Sequence, residues 1–340
     1  MRVAVTGATG NVGTSVLAAL ADEPEVDSVV GIARRVPDAA FPKVEWRSAD
    51  VTRHDLVPLL RTVDAVVHLV WVVQPNHDKV ALQRVNVAGS LRVFQAVADA
   101  GVATLVNASA FGAYSAGPKD RAVDESWPTH GIPGSWYSRQ KAYVERALDA
   151  FTLAHPGIRV VRFRSALVLK REAAAQAHRL YGGPLLPRSL VRPASVRAVP
   201  DVDGLRTQAV HSRDVATAYR RALVSDVRGA FNLASDPVLD AASVAAALQA
   251  RTVPLPARVL RAGVSASWRL RLQPTSPDWV DLLLRPPLLD AGRARDVLGW
   301  SPTASATAAL VEFLEGIADG AGGATAPLAP LDRARPSFRP

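Results

Sequence analysis

Apolar positions in the first 165 residues fall into two alternating rhythms. Short Val-rich runs at 2–6, 28–33, 44–47, 65–71, 104–109 and 159–164 are apolar at consecutive positions, as strands buried on both faces are. Between them, 12–21, 54–61, 80–100 and 138–155 carry helical spacing; Val12, Val16, Leu17 and Leu20 share one helix face. Such alternation predicts an α/β fold: a doubly wound parallel sheet with right-handed crossovers. After Leu169 the rhythm breaks. The stretch 181–200 is rich in Pro and reads as loop, 210–223 as strand then helix, 230–234 as strand, and 239–249, 257–272 and 304–317 as helices. The expected organisation is a first domain at 1–165, joined by 209–235, a smaller C-terminal α/β region at 166–318, and a disordered Gly/Ala/Pro-rich tail at 319–340.

Composition narrows the chemistry. Cysteine is absent, which excludes disulfides, thiolate catalysis and cysteine–zinc sites. The seven histidines show no HExxH or HxxxH spacing, so no metal site is expected. No apolar run approaches the ~20 residues of a membrane helix, and the first residues lack a signal-peptide layout. A cytoplasmic protein without membrane contact is expected. The net charge is +9, yet 35 of the 40 basic residues are Arg in an Ala-rich chain. That reads as compositional habit, and no nucleic-acid partner is expected. The stretch 251–271 is the exception in density, with five Arg and no acid; a basic rim near an anionic ligand or a solvated face both fit it.

The strongest local signal is Thr6-Gly7-Ala8-Thr9-Gly10-Asn11-Val12-Gly13, lying just after a strand run and opening a helix run. Gly7 suits a tight turn, Gly10 a close backbone approach to a pyrophosphate, and Gly13 close packing of helix on sheet, with the phosphates meeting free N–H groups of the helix. This is the dinucleotide-binding arrangement of a Rossmann domain, in G-x-x-G-x-x-G spacing. The second strand run ends Ala33-Arg34-Arg35 with no carboxylate for ribose hydroxyls; an Arg fork matches a phosphate. NADP is therefore the expected cofactor, with NAD the alternative. Asp50, followed by Val51, is placed to meet the adenine, or is a simple loop carboxylate.

The second signal is Tyr137-Ser138-Arg139-Gln140-Lys141, with Ser109 upstream at a strand end. Residues i and i+4 share a helix face, so Tyr137 and Lys141 face one ligand, and a neighbouring ammonium is expected to lower the phenol's pKa. Ser109 is the expected holder of the substrate oxygen. Trp71, Phe111 and Tyr114 are candidate walls of an apolar or aromatic pocket, alongside Trp127 and Trp136.

With these pieces in hand, the chain resembles an extended short-chain dehydrogenase/reductase of the NAD-dependent epimerase/dehydratase family. The resemblance rests on Thr6–Gly13, Val67-His68-Leu69-Val70, Asn86-Val87-Ala88-Gly89-Ser90, Ser109, Tyr137 with Lys141, Val210-His211-Ser212-Arg213-Asp214-Val215-Ala216 and Leu298-Gly299-Trp300-Ser301-Pro302. It implies a Rossmann domain holding the dinucleotide along Gly7–Gly13, Asp50, Val51, Leu69 and Val70, a substrate domain over the cleft, and Lys141 bonding the nicotinamide ribose. Ser109 is followed by Ala110-Phe111-Gly112 and lacks the acidic pair of the sugar dehydratases; Phe163–Leu167 lacks the Asn common in nucleotide-sugar epimerases. The expectation is an NADP(H)-dependent oxidoreductase interconverting a small-molecule carbonyl and alcohol, with Tyr137 as general acid. A nucleotide-sugar epimerase using bound NAD and a non-catalytic dinucleotide sensor are the alternatives. A monomer or homodimer is expected.

Overall fold

The computed structural model describes residues 1–73, 78–182 and 187–331. Among these, β1 (Arg2–Thr6), α1 (Asn11–Ala21), β2 (Ser28–Ala33), β3 (Val44–Ser48), β4 (Ala65–His68), α2 (Gly89–Asp99), β5 (Thr104–Ala110), α3 (Trp136–Ala154), β6 (Arg159–Ser165), α4 (Ser212–Leu223) and β7 (Gly229–Leu233) build a doubly wound Rossmann layer. Its strands are all parallel, in the order β7-β6-β5-β4-β1-β2-β3. Helices α1 and α4 cover one face over Val5, Leu17, Phe163 and Tyr219; α2 and α3 cover the other over Val66, Phe94, Leu148 and Phe151. The order reverses between β1 and β4, so their carboxyl ends open a crevice, the usual ligand site of such sheets.

The remaining chain caps that edge. Strands Leu167–Leu169, Thr207–His211 and Ser235–Leu239 form a second sheet, Ala198–Asp201 pairs with Arg251–Pro254, and helices α5 (Ala257–Arg269) and α6 (Asp278–Leu284) follow. Several expected bounds shift for local reasons. The run 65–71 stops being strand at His68, because the chain turns beneath Gly7, with Leu69 N donating to Thr6 O at 3.0 Å. Within 80–100 the helical path is interrupted by a π segment, Arg84–Ala88, and 54–61 shrinks to Val57–Leu60. The helix expected over 239–249 becomes Ser235–Leu239 strand and then Ala241–Leu248 helix; an Asp240–Ser243 capping box sets its start. The expected loop 181–200 contains single turns and a short strand, and 183–186 lie outside the described residues.

The expectation of a disordered tail is corrected as far as Leu331. Leu328 is 1% exposed. Arg179 donates to Ala329 O and Pro327 O at 2.7 and 2.8 Å. Thr325 Oγ1 donates to Thr9 O at 2.7 Å. Backbone polar groups in this stretch find fixed partners, and one leucine finds a pocket, which low apolar content alone concealed. Residues 332–340 lie outside the described residues. Leu328→Ala should cost ~2 kcal/mol or more by chemical denaturation; an unchanged midpoint would mean that this segment contributes nothing to the fold.

Candidate active site

Geometry at the β1–α1 turn admits only glycine. Gly7 has φ +73°, and a Cβ there would lie 2.9 Å from Leu69 C and Val70 N. At Gly13 a Cβ would stand 2.3 Å from Gly7 O. Helix α1 therefore starts directly against β1, with Gly10 at its N-cap and no side chain capping it. Its first N–H groups and the Ala8–Val12 backbone face the crevice end of the sheet, a cradle for a diphosphate. Beside the turn, Lys170 Nζ donates to Asn11 O, Thr14 Oγ1 and Ser15 Oγ at 2.8, 2.6 and 3.1 Å; burial draws its pKa down to about 8.

At the end of β2, Ala33 is buried and Arg34 and Arg35 are exposed. Asp50 accepts from Thr52 N and Oγ1, both at 2.8 Å. Burial pushes its carboxyl up, but those hydrogen bonds and the charges of Arg34 and Arg53 outweigh it and hold the group below its ordinary value. Asp50 is thus already engaged within its own loop. The neighbouring Val51 is buried beside α2, against Gly89.

Tyr137 and Lys141 meet through a third residue. The Trp71 ring stands edge-on to Tyr137 at 5.9 Å and lies over Lys141 Nζ, 3.5 Å from the ring centre. Lys141 also donates to Ala108 O at 3.0 Å. Burial draws this ammonium down to about 7, against the opposing pull of Glu145. The expected lowering of the Tyr137 phenol is corrected: burial pushes it above its ordinary value, because the ring is enclosed by other rings. Trp279 of α6 packs on it at 5.5 Å, and Tyr181 packs on Trp279 at 5.2 Å, with its hydroxyl donating to Val73 O at 3.2 Å. Val72, Val73, Leu82, Trp136, Tyr137 and Trp279 line a narrow cavity, with Lys79, Gln140, Ser276 and Asp278 as its charged and polar members. Sequence reasoning found Trp71 here and missed Tyr181 and Trp279. No local motif marks those two; they arrive from distant chain segments.

The loop carrying Trp71 is held from below. Asn86, inside the π segment, accepts from Val72 N at 2.7 Å and donates to Val72 O at 3.0 Å. His68 links Thr6 Oγ1 at 2.7 Å to Ser90 Oγ at 3.0 Å, and Ser90 donates to Asn86 O at 2.6 Å. Since Ser90 gives its proton away, Nε2 of His68 carries the hydrogen. Burial, with the Lys141 charge adding, drives the ring down to about 3, so it stays neutral.

Three expected site residues are engaged in other contacts. Ser109 does not face Tyr137: its hydroxyl donates to Glu145 Oε1 at 2.6 Å, while Ala108 and Ala110 take the opposite face of β5. Glu145 is gripped by Arg164 through Nε and Nη2 at 3.0 and 3.1 Å and by Arg162 Nη1 at 2.9 Å. Its burial opposes ionisation, but Arg164 and Arg162 overcome this and hold its carboxyl well below the usual range. Tyr114 is fully buried, donating to Asn232 Oδ1 at 2.7 Å and accepting from Arg164 at 3.0 Å. Phe111 belongs to the main core. Side-chain alternation along β5 and a buried polar network claim what strand-end position suggested was free. Among the described residues no cluster of His, Asp and Glu fits a metal ion.

A profile of the NAD dependent epimerase/dehydratase family matches residues 3–234. An uncharacterised protein of Mycobacterium tuberculosis is 29% identical over 316 residues, covering 92% of this chain and 30% of its own length. The chain thus spans under a third of that relative. A UDP-glucose 4-epimerase of Azospirillum brasilense is 33% identical over 170 residues, 48% of each chain. The crystal structure of UDP-glucose 4-epimerase from Thermus thermophilus, in complex with NAD, superposes with a TM-score of 0.69 at 22% identity, over 93% of this chain and 99% of that one.

Ser109→Ala should lower stability by ~1 kcal/mol and leave turnover within a few-fold of the wild type. Glu145→Ala leaves buried Arg164 without a carboxylate, while Arg162 keeps Asp149 at 2.6 Å, and should cost ~3–5 kcal/mol. Thermal melts and steady-state rates on both variants check the pair. A rate collapse in well-folded Ser109→Ala would return that hydroxyl to the reaction.

Proposed function

The chain belongs to the NAD dependent epimerase/dehydratase family, and from that premise we propose that it catalyses reversible hydride transfer at a carbinol carbon, with Tyr137 as the acid–base group. The observation that carries this reading is the shared contact of Tyr137 and Lys141 with Trp71, at the crevice where the glycine turn opens. The cradle fits a dinucleotide diphosphate, because its glycines leave the space a Cβ would fill. A nicotinamide dinucleotide bound there supplies the hydride acceptor and donor.

The chain's own groups supply the rest. Tyr137, kept protonated by burial, gives its proton to the oxygen of a carbonyl as that carbon is reduced, and takes a proton back when the carbinol is oxidised. Lys141 in its ammonium form stabilises the phenolate of that second half. The Trp71 indole covers Nζ, so a ribose hydroxyl reaching Lys141 has to take the indole's place. The Trp136, Trp279 and Val72 walls exclude water and pack on the ring faces of the substrate.

The family match and the similarity to nucleotide-sugar 4-epimerases support the redox-neutral mode, in which a nucleotide sugar is oxidised and then reduced on its opposite face. A second reading, net oxidation or reduction with NADP, is favoured by Arg34 and Arg35 at the end of β2, where no carboxylate stands. UDP-glucose and UDP-glucuronic acid offered to the purified protein should give the inverted sugar by NMR without net accumulation of reduced dinucleotide. Tyr137→Phe should lower that rate roughly 10²-fold or more with dinucleotide binding intact. Near-wild-type turnover would remove Tyr137 from the reaction. Absence of inversion with steady NADPH consumption on ketones would select the second reading.

Titration separates the cofactors. If the two Arg hold a 2′-phosphate, NADPH binds at least ~10-fold more tightly than NADH, and Arg34→Ala or Arg35→Ala removes the difference. Equal or tighter NADH binding excludes that role for both.

A further inference from the structure

Helix α5 and its flanks are unlike the rest of the surface. None of the residues of α5 is buried. Its exposed positions are Arg258, Val259, Arg261, Ala262, Gly263, Ala266 and Arg269. From 251 to 271 there are five Arg and no acid. Some Arg side chains elsewhere pair with carboxylates: Arg2 with Glu45, Arg171 and Arg192 with Asp319, Arg220 with Glu23. Here only Arg261 does so, bracing α5 to α6 through Asp281 at 3.0 and 3.2 Å. Among the described residues, Arg251, Arg258, Arg269 and Arg271 form no ion pair with a carboxylate.

Apolar side chains stand among these free charges. Leu270 is 69% exposed, Val259 50%, Leu272 46% and Val253 40%. Helix α5 ends with Arg271 at φ +57°, in the left-handed region where glycine is usual. Leu272 N closes the turn on Ser267 O at 2.9 Å. The result is a fixed tip of two leucines around an arginine, directed into solvent.

We propose that α5 with its Leu270–Leu272 tip is a docking surface for an anionic lipid bilayer. Unpaired guanidinium groups meet lipid phosphates, and the leucines enter the headgroup boundary. Nucleic acid fits less well, since the most exposed side chains between the charges, Leu270, Val259, Leu272 and Val253, are aliphatic, and the one ring of α5, Trp268, is half-buried. No described helix is long and apolar enough to cross a membrane, so the contact is peripheral. It lies next to the cleft: Thr275, just past the tip, donates to Tyr181 O at 3.1 Å, and α6 then supplies Trp279 to Tyr137. Docking there would set the cleft beside the bilayer surface.

The test is flotation of the full chain with vesicles of phosphatidylcholine alone or mixed with phosphatidylglycerol. Binding to the mixed vesicles only is expected. It should weaken roughly tenfold or more in Arg258→Glu/Arg269→Glu, and comparably in Leu270→Ser/Leu272→Ser. Both variants should keep the wild-type melting temperature and dinucleotide affinity, which separates lost docking from lost folding. No flotation with anionic vesicles overturns the proposal. Binding that survives the leucine change, or is displaced equally by single-stranded DNA, overturns it in favour of a general polyanion surface.

Discussion

The site depends on one close approach, that of α1 to β1. With 2.3 Å between a Cβ at Gly13 and the Gly7 carbonyl, any side chain at Gly13 would push the helix away from the sheet. The same contact aims the uncapped start of α1 at the crevice and leaves the Leu69–Val70 backbone directly under Gly7. Around this turn gather groups from far along the chain: Lys170 on Asn11, Ser212 Oγ on Ser15 Oγ at 2.9 Å, and Thr325 on Thr9. A loop that must be bare of side chains is thereby stabilised through its carbonyls and neighbouring hydroxyls, by residues outside the first 165.

Two buried polar systems flank that turn, and they do different work. Under β4, the Thr6–His68–Ser90–Asn86 chain is neutral throughout and ends in a two-point clamp on Val72, which fixes the loop bearing Trp71. Its use of a π segment follows from geometry: the extra residue in the turn re-aims a side chain that a regular helix would present elsewhere. Behind β5, Glu145 carries charge and is surrounded by Arg162, Arg164 and the Ser109 hydroxyl. A charge this deep is tolerated because nearly every lone pair has a donor. Glu145 sits one turn beyond Lys141 on α3, so the same helix face that presents Tyr137 and Lys141 is anchored by this ion cluster.

The sequence motifs differed in how well they marked the site. The glycine turn and the Tyr137–Lys141 pair were legible because each is local: a turn needing φ above zero, and two side chains one helical turn apart. Phe111 and Tyr114 lie beyond β5, in a single buried turn; for Ser109, proximity to a strand end does not specify which face the side chain takes. That choice rests on the parity of β5 relative to α3, which only the packed sheet reveals. Tyr181 and Trp279 carried no signal, since ring-on-ring contact between distant chain segments leaves no spacing to read. The ordered stretch to Leu331 was hidden likewise, its stability coming from backbone hydrogen bonds that composition does not register.

By itself, then, the sequence determined the parallel layer, the glycine-only turn that opens its first helix and the shared helix face of Tyr137 and Lys141, because apolar periodicity and glycine stereochemistry act within a few residues of chain. Only the tertiary structure decided the protonation states and the walls. It raised the Tyr137 phenol where a lowered one was expected, turned Ser109 into a partner of Glu145, and closed Trp71, Trp279 and Tyr181 over the crevice. Burial and electrostatic environment belong to the assembled volume, and no stretch of chain contains them.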